Sequence, residues 1–234
     1  MKAGIMQPYF FPYIGYWQLM NAVDQYVIYD DVNYINRGWV NRNRILLNGQ
    51  PHYFNVQMIG ASQCKLINEI LINKEDAVIS KNLRLIENAY KKAPYYTDVQ
   101  PLIEQVLRNK EEFLSEFIAA SFSVLCRYLD IHTELILSSD LEKDNTLKGQ
   151  DKILAICKFL GATEYYNAVG GQELYSFSEF KKQGIKLRFL KSDEISYVQF
   201  DNEFCADLSI IDVMMFNSKE RVKELLNAYT LVCE

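Results

Sequence analysis

About thirty residues at the start of the chain hold two β-type runs with one helical run between them, the length of a single βαβ unit. Residues 3–6 form a short apolar run that stops at Pro8. The aromatic-rich stretch Tyr9, Phe10, Phe11, Pro12 and Tyr13 then leads into a helical pattern of Ile14, Trp17 and residues 19–23. Pro12 suits the first turn of that helix, where a missing N–H is no loss. Residues 25–29 are β-rich and end at Asp30 and Asp31. Such a unit winds right-handed, sets its two strands parallel and leaves its first loop at the carboxyl edge of the sheet.

The alternation resumes in the second half. Residues 133–137, 164–167 and 185–190 read as strands, and 150–160 and 173–182 as helices closed by Gly161 and Gly184. Between the halves, residues 33–51 turn polar and basic, and 53–58 and 66–72 read as strands. Helices are expected over 76–91, ended by Pro94, and over 100–108 and 111–129. In the last of these, Leu114, Ile118, Phe122, Leu125 and Leu129 recur at helical spacing and mark a core-facing stripe. Residues 209–216 and 219–229 read as a helical tail. The expectation is an α/β fold: a Rossmann-like, mostly parallel sheet with helices on both faces and a helical insertion at roughly 75–130. With no linker or repeat in view, residues 1–234 read as a single domain.

Charge narrows the function. The 25 basic and 30 acidic side chains give a net charge of −5, which argues against general nucleic-acid binding and against a polybasic membrane anchor. No apolar run reaches the roughly 18 residues of a membrane span, and the run before Pro8 is too short for a signal peptide, so a soluble, cytoplasmic protein without membrane insertion is expected. Cys64, Cys126, Cys157, Cys205 and Cys233 form no C-x-x-C pair and read as free, mostly buried thiols. His52 and His132 are the only histidines and lack metal-binding spacing, so no metal site is expected. Neither a G-x-S-x-G elbow nor a Cys–His pairing is present, leaving carboxylates and tyrosines as proton carriers.

Candidate binding residues gather early in the chain. Gln7, Pro8, Tyr9, Phe11, Pro12 and Gly15 frame the turn from the first strand into the first helix. Unpaired helix N–H groups there favour phosphate or carboxylate, and Gly15 permits close approach. The rings either stack a base or sugar or simply pack the sheet edge. Only one of Asp30 and Asp31 can aim into a cleft, and Asp31 is preferred; a plain turn cap is the alternative. Arg37, Trp39, Asn41, Arg42 and Arg44 form a basic stretch suited to bidentate anion binding, or alternatively an exposed loop. Ser139 closes the strand 133–137. Gly170 joins the strand 164–167 to the next helix, where backbone amides either cradle an oxyanion or simply make a tight turn, and Tyr175 lies nearby.

The run from Gln7 to Tyr16, the Asp30-Asp31 pair, Arg37-Gly38-Trp39 and Asn41-Arg42-Asn43-Arg44-Ile45 closely resemble the signature of the WbqC-like family. Tyr90 with Lys92-Ala93-Pro94-Tyr95, Ser138-Ser139, Leu160-Gly161-Ala162-Thr163 and Phe204 with Leu208-Ser209-Ile210-Ile211-Asp212 extend the likeness over the chain. One departure is the Gly170-Gly171-Gln172 stretch, where a Ser or Pro often precedes the glycine. The resemblance implies a transferase of bacterial O-antigen or surface-polysaccharide biosynthesis, moving an aminoacyl, for instance glycyl, group to an amino sugar. The partners would be a nucleotide-activated sugar and an activated acyl donor, and a homo-oligomer is compatible with the chain. On that reading Asp31, Gln7 and Tyr16 are the catalytic candidates. Pro12-Tyr13-Ile14-Gly15-Tyr16 is also faintly similar to HIGH-type nucleotidyltransferases, with tyrosine in place of the phosphate-stabilising histidines. The alternatives are a HIGH-type nucleotidyltransferase-like enzyme or an ATP- and magnesium-dependent ligase and, as a separate class, a non-catalytic sugar-nucleotide binding protein.

Overall fold

The computed structural model describes residues 1–201 and 203–233. In chain order, β1 (Lys2–Met6), α1 (Ile14–Asn21) and β2 (Gln25–Ile28) are followed by β3 (Arg42–Leu47), β4 (Gln50–Asn55), β5 (Met58–Ile59) and β6 (Leu71–Ile72). Three helices come next, α2 (Asp76–Tyr90), α3 (Tyr96–Leu107) and α4 (Leu114–Leu129). The alternation then runs β7 (Glu134–Leu137), α5 (Gly149–Leu160), β8 (Glu164–Ala168), α6 (Phe177–Lys182) and β9 (Lys186–Ser192). The chain closes with α7 (Ile210–Phe216), α8 (Lys219–Leu226) and β10 (Tyr229–Val232).

The main sheet has the order β10-β9-β8-β1-β2-β7, parallel throughout except for β10, which runs antiparallel along β9. From β1 the chain steps outward through β2 to β7, then returns to β8 on the other side of β1 and continues to β9 and β10. This is the doubly wound, Rossmann-like arrangement, with its strand order reversing between β1 and β8. Right-handed crossovers that step in opposite directions must place their helices on opposite faces. The pleat records this residue by residue. Ala3, Ile5, Val27, Tyr165, Leu187 and Phe189 pack with Ile153, Leu154 and Ile156 of α5 and Phe180 of α6. Tyr26, Ile28, Tyr166 and Leu190 pack with α1, α4, α7 and α8 on the other face. Both α1 and α5 therefore begin at the carboxyl edge of the sheet.

Several expectations need correction. The basic stretch 33–51 is not all loop: β3 and β4 pair antiparallel from Arg42 with Asn55 to Leu47 with Gln50. Asn48 (φ 53°) and Gly49 (φ 73°) form the two-residue turn, both in the left-handed region that an Asn-Gly pair adopts readily. Residues 66–72 hold only a short 3-10 turn and β6, and α3 starts at Tyr96. The expected helix 173–182 divides into a 3-10 segment (Val169–Leu174) and α6. Tyr229 belongs to the edge strand β10, because α8 stops at Leu226 and the last residues pair with β9. Pro12 precedes the first turn of α1 instead of opening it. All five cysteines are free, as expected, but only Cys126 and Cys157 are buried. Among the described residues no helix is long and apolar enough to cross a membrane.

A candidate ligand cleft at the strand-order reversal

A cavity of about 870 Å³ opens where the strand order reverses. The ends of β1, β2, β8 and β9 supply Gln7, Tyr29, Asn167 and Lys191 to its walls. Tyr9, Tyr13 and Gly15 come from the first loop and helix, Gly149, Gln150 and Ile153 from the start of α5, and Gly170, Leu174 and Tyr175 from the segment after β8. Trp39 reaches the wall from the stretch before β3. Crevices at such reversals are the usual ligand positions of open α/β sheets, because the loops on either side diverge and leave a gap.

The aromatic run divides between the two uses its composition allowed. Phe10, Phe11 and Tyr16 are almost fully buried, and Phe10 lies against Phe54 and Phe117. Tyr9 and Tyr13 instead line the cleft. Phe11 has a φ of 42°, a left-handed conformation costly for an aromatic residue. Its surroundings hold it there. Asn43 donates Nδ2 to the carbonyls of Phe10 (3.2 Å) and Phe11 (3.0 Å), and the Ser209 hydroxyl donates to Phe11 (2.8 Å). The indole of Trp17 donates to the Pro12 carbonyl at 3.1 Å, as does the Ile210 amide at 2.9 Å. Tyr16, expected to be catalytic, donates its hydroxyl to the Gln7 carbonyl at 2.8 Å and is turned into the core; it positions the end of β1. Pro8 and Pro12 are buried and shape the loop without reaching the cleft wall.

Gly15 carries the closest approach. A Cβ there would sit 2.5 Å from Cε2 of Tyr13 and 2.8 Å from Oγ of Ser192. Any side chain at this position would displace two residues of the cleft wall.

The acidic pair does not enter the cleft. Asp30 is fully buried and accepts hydrogen bonds from the Ser139 amide (3.0 Å) and hydroxyl (2.8 Å), so Ser139 serves Asp30. Burial raises the Asp30 carboxyl, with the Ser139 bonds opposing. Asp31 forms ion pairs through Oδ2 with Lys143 at 2.8 Å and Lys152 at 3.0 Å, all three side chains being less than a tenth exposed. Burial pushes the Asp31 carboxyl up, but Lys143, the Ser138 hydroxyl and Lys152 outweigh it and hold it below its ordinary value. A carboxylate clamped between two ammonium groups is a poor proton acceptor, which does not fit the proton-accepting role expected of Asp31. Lys152 also donates to the Asp31 carbonyl (3.0 Å) and lies 5.2 Å from the ring centre of Tyr29, linking the clamp to the cleft wall.

The three arginines separate. Arg37 is exposed with φ 62°, and Arg42 turns back on the same loop, donating to the Gly38 carbonyl at 3.1 Å and to the Arg37 carbonyl, with its guanidinium 4.5 Å from the Tyr53 ring centre. Asn41 accepts from the Tyr34 hydroxyl (3.0 Å) and donates to the Val56 carbonyl (3.2 Å). Arg37, Asn41 and Arg42 thus lie outside the cleft wall, and only Trp39 and Arg44 remain at the site. Arg44 lines a side chamber of about 350 Å³ with Tyr9, Tyr13, Trp39, Asn43 and Asp207.

Beyond β8 the expected Gly170 and Tyr175 are both in the wall. Asn167 donates to the Tyr165 hydroxyl (2.8 Å) while its Oδ1 accepts from the Ala168 amide (2.7 Å), which fixes the chain as it leaves the strand. Sequence reasoning missed Tyr29, Gln150, Lys191 and Ser192 as site residues. Each lies at the end of a strand or the start of a helix, so the strand order would have found them. Among the described residues lining the main cleft there is no carboxylate, imidazole or thiol. Burial raises the phenols of Tyr9, Tyr13, Tyr29 and Tyr175, which keeps them neutral near pH 7 and able to donate hydrogen bonds.

Sheet order and cleft position together define a Rossmann-like α/β protein with a cleft of about 870 Å³ at the switch point. The sequence places it more narrowly. The chain belongs to the WbqC-like protein family, whose model matches residues 7–224. It is similar to the uncharacterized protein Rv1507c of Mycobacterium tuberculosis, with 29% identity over 221 residues that cover 92% of this chain and 93% of that one. No solved structure matches the chain.

Proposed function

We propose that the protein is a transferase of bacterial O-antigen or surface-polysaccharide biosynthesis that acylates the amine of a nucleotide-activated amino sugar, the acyl group being aminoacyl such as glycyl. The observation that carries this reading is the cleft at the strand-order reversal. It has a flat aromatic wall for a base or sugar ring, and the start of α5 and the Gly170 turn offer backbone amides to phosphate. Gln7 makes no side-chain hydrogen bond among the described residues and is available to the acceptor sugar.

The wall chemistry supports direct aminolysis. The amine nitrogen attacks the acyl carbon, the C–N bond forms, the bond from that carbon to its thiol or phosphate leaving group breaks, and the amine proton leaves with that group. No acyl-enzyme intermediate is required, because a neutral amine is itself a competent nucleophile. Neutral tyrosine hydroxyls can donate to the carbonyl oxygen as negative charge develops on it.

The test is product formation. Purified protein incubated with nucleotide-linked amino sugars and activated aminoacyl donors should yield a sugar nucleotide heavier by one aminoacyl residue, detected by mass spectrometry. Absence of any amide product across the donor panel would remove the reading.

A further inference from the structure

The side chamber next to the cleft is lined by two residues of opposite charge, and neither forms an ion pair among the described residues. Arg44 forms no ion pair among the described residues; its Nη2 donates to the Asp207 carbonyl at 3.2 Å, and its buried Nε has no hydrogen-bond partner. The guanidinium lies 5.6 Å from the ring centre of Trp39. Asp207 lines the same chamber, is exposed, and forms no ion pair among the described residues. Tyr9, Tyr13 and Trp39 complete the walls, and these three also line the main cleft, so a molecule in the chamber borders a molecule in the cleft.

We infer that this chamber binds a small zwitterion, with its oxyanion on Arg44 and its ammonium between Asp207 and the aromatic rings. A simple anion against Arg44 leaves the charge of Asp207 unmatched, and a simple cation against Asp207 leaves that of Arg44 unmatched. A ligand carrying both charges satisfies both groups. Arginine presents a fork matched to carboxylate or phosphate, and the faces of Trp39, Tyr9 and Tyr13 attract an ammonium group. The volume suits a molecule much smaller than a nucleotide sugar. Two sources share this chemistry: an α-amino acid, and the phosphate and amine of an amino sugar. The inference rests on the acyl-transfer reading only for the part this ligand plays in a reaction; the binding itself stands apart from it.

The experiment uses the two tryptophans. Trp17 is fully buried and Trp39 is about a third exposed on the chamber wall, so acrylamide quenching reports chiefly on Trp39. The full chain is titrated with glycine, glucosamine 1-phosphate, inorganic phosphate and methylammonium. At least one of the first two should saturate and shield Trp39, with phosphate and methylammonium about tenfold weaker or worse. Arg44→Gln and Asp207→Asn should each weaken the zwitterion about tenfold. Asp207→Asn should at the same time tighten inorganic phosphate, an effect that partial unfolding could not produce. Arg44→Lys, which keeps the charge, should bind between wild type and Arg44→Gln. Saturation by glycine alone assigns the amino-acid source, and by the sugar phosphate alone the sugar source. Shielding by neither, or phosphate binding as tight as the zwitterion and indifferent to Asp207→Asn, would overturn the inference. Zwitterion binding without amide formation would count against the transferase reading alone.

Discussion

Asp31, Lys143 and Lys152 set two buried ammonium groups against one buried carboxylate, so Asp31→Asn leaves both lysines without their counter-ion. The expected loss is about 3 kcal/mol of unfolding free energy, measured by urea denaturation. Its pH dependence follows from the depressed carboxyl. Stability from this clamp is complete above the ordinary value of 3.8 and is lost as pH falls through the lower folded value. The gap between wild type and Asp31→Asn should therefore be constant near neutrality and close below pH 3.8; a gap that widens in acid would contradict the clamp. Gly15→Ala tests the cleft wall instead. Alanine favours helix by about 1 kcal/mol, yet its Cβ must displace Tyr13 and Ser192. Calorimetry should show ligand affinity reduced about tenfold, with the melting temperature little changed. At this scale the sequence was legible in residue type but not in direction. The charges of Asp31 and Arg42 were plain, but whether each faces a cleft, a lysine or its own loop depends on side chains more than a hundred residues away or on backbone turns.

The β3–β4 hairpin is the element that holds the first loop. Asn43 on β3 bonds the carbonyls of Phe10 and Phe11, and the Leu46 amide donates to the Tyr90 hydroxyl at 2.9 Å. Tyr90 donates in turn to Asp212 at 2.8 Å, and Tyr197 and Gln199 meet the same carboxylate at 2.8 and 2.6 Å. Burial raises the Asp212 carboxyl while these three donors oppose it. Tyr90→Phe removes one donor and strands the Leu46 amide, for an expected cost of about 2 kcal/mol in denaturant unfolding. Asn43→Ala should cost a similar amount and also weaken cleft ligands, because Phe11 is then free to leave its left-handed conformation. Equal ligand affinity in Asn43→Ala would show that the loop holds its shape without the hairpin. The hairpin was not read from the sequence although Asn48-Gly49 is a pair suited to its turn, because the basic, polar residues around it masked the strand alternation. The last strand, β10, was hidden for another reason: four residues on a sheet edge carry too little apolar pattern to be separated from the end of α8.

For the whole molecule, alternation of strands and helices sufficed to establish a parallel sheet covered on both faces. The strand order did not follow from it, because the return from β7 to β8 skips past β2 and β1. Once that order is known, the cleft follows from geometry, and its walls collect residues from β1, β2, β8, β9 and α5 that no local motif joins. If this cleft, and not the arginine-rich loop, holds the substrate, a side chain added to its wall must weaken binding. Gly170 offers the cleanest handle, since it belongs to the wall and a Cβ there would meet no atom within 4 Å, so Gly170→Leu adds bulk to the wall without its Cβ displacing a neighbour. Calorimetric titration of a nucleotide-linked amino sugar into wild type and Gly170→Leu decides the matter. Substrate binding in this cleft predicts one saturable site in wild type and affinity at least about tenfold lower in the variant at unchanged melting temperature. Equal affinity in both proteins, or none in wild type, would contradict it.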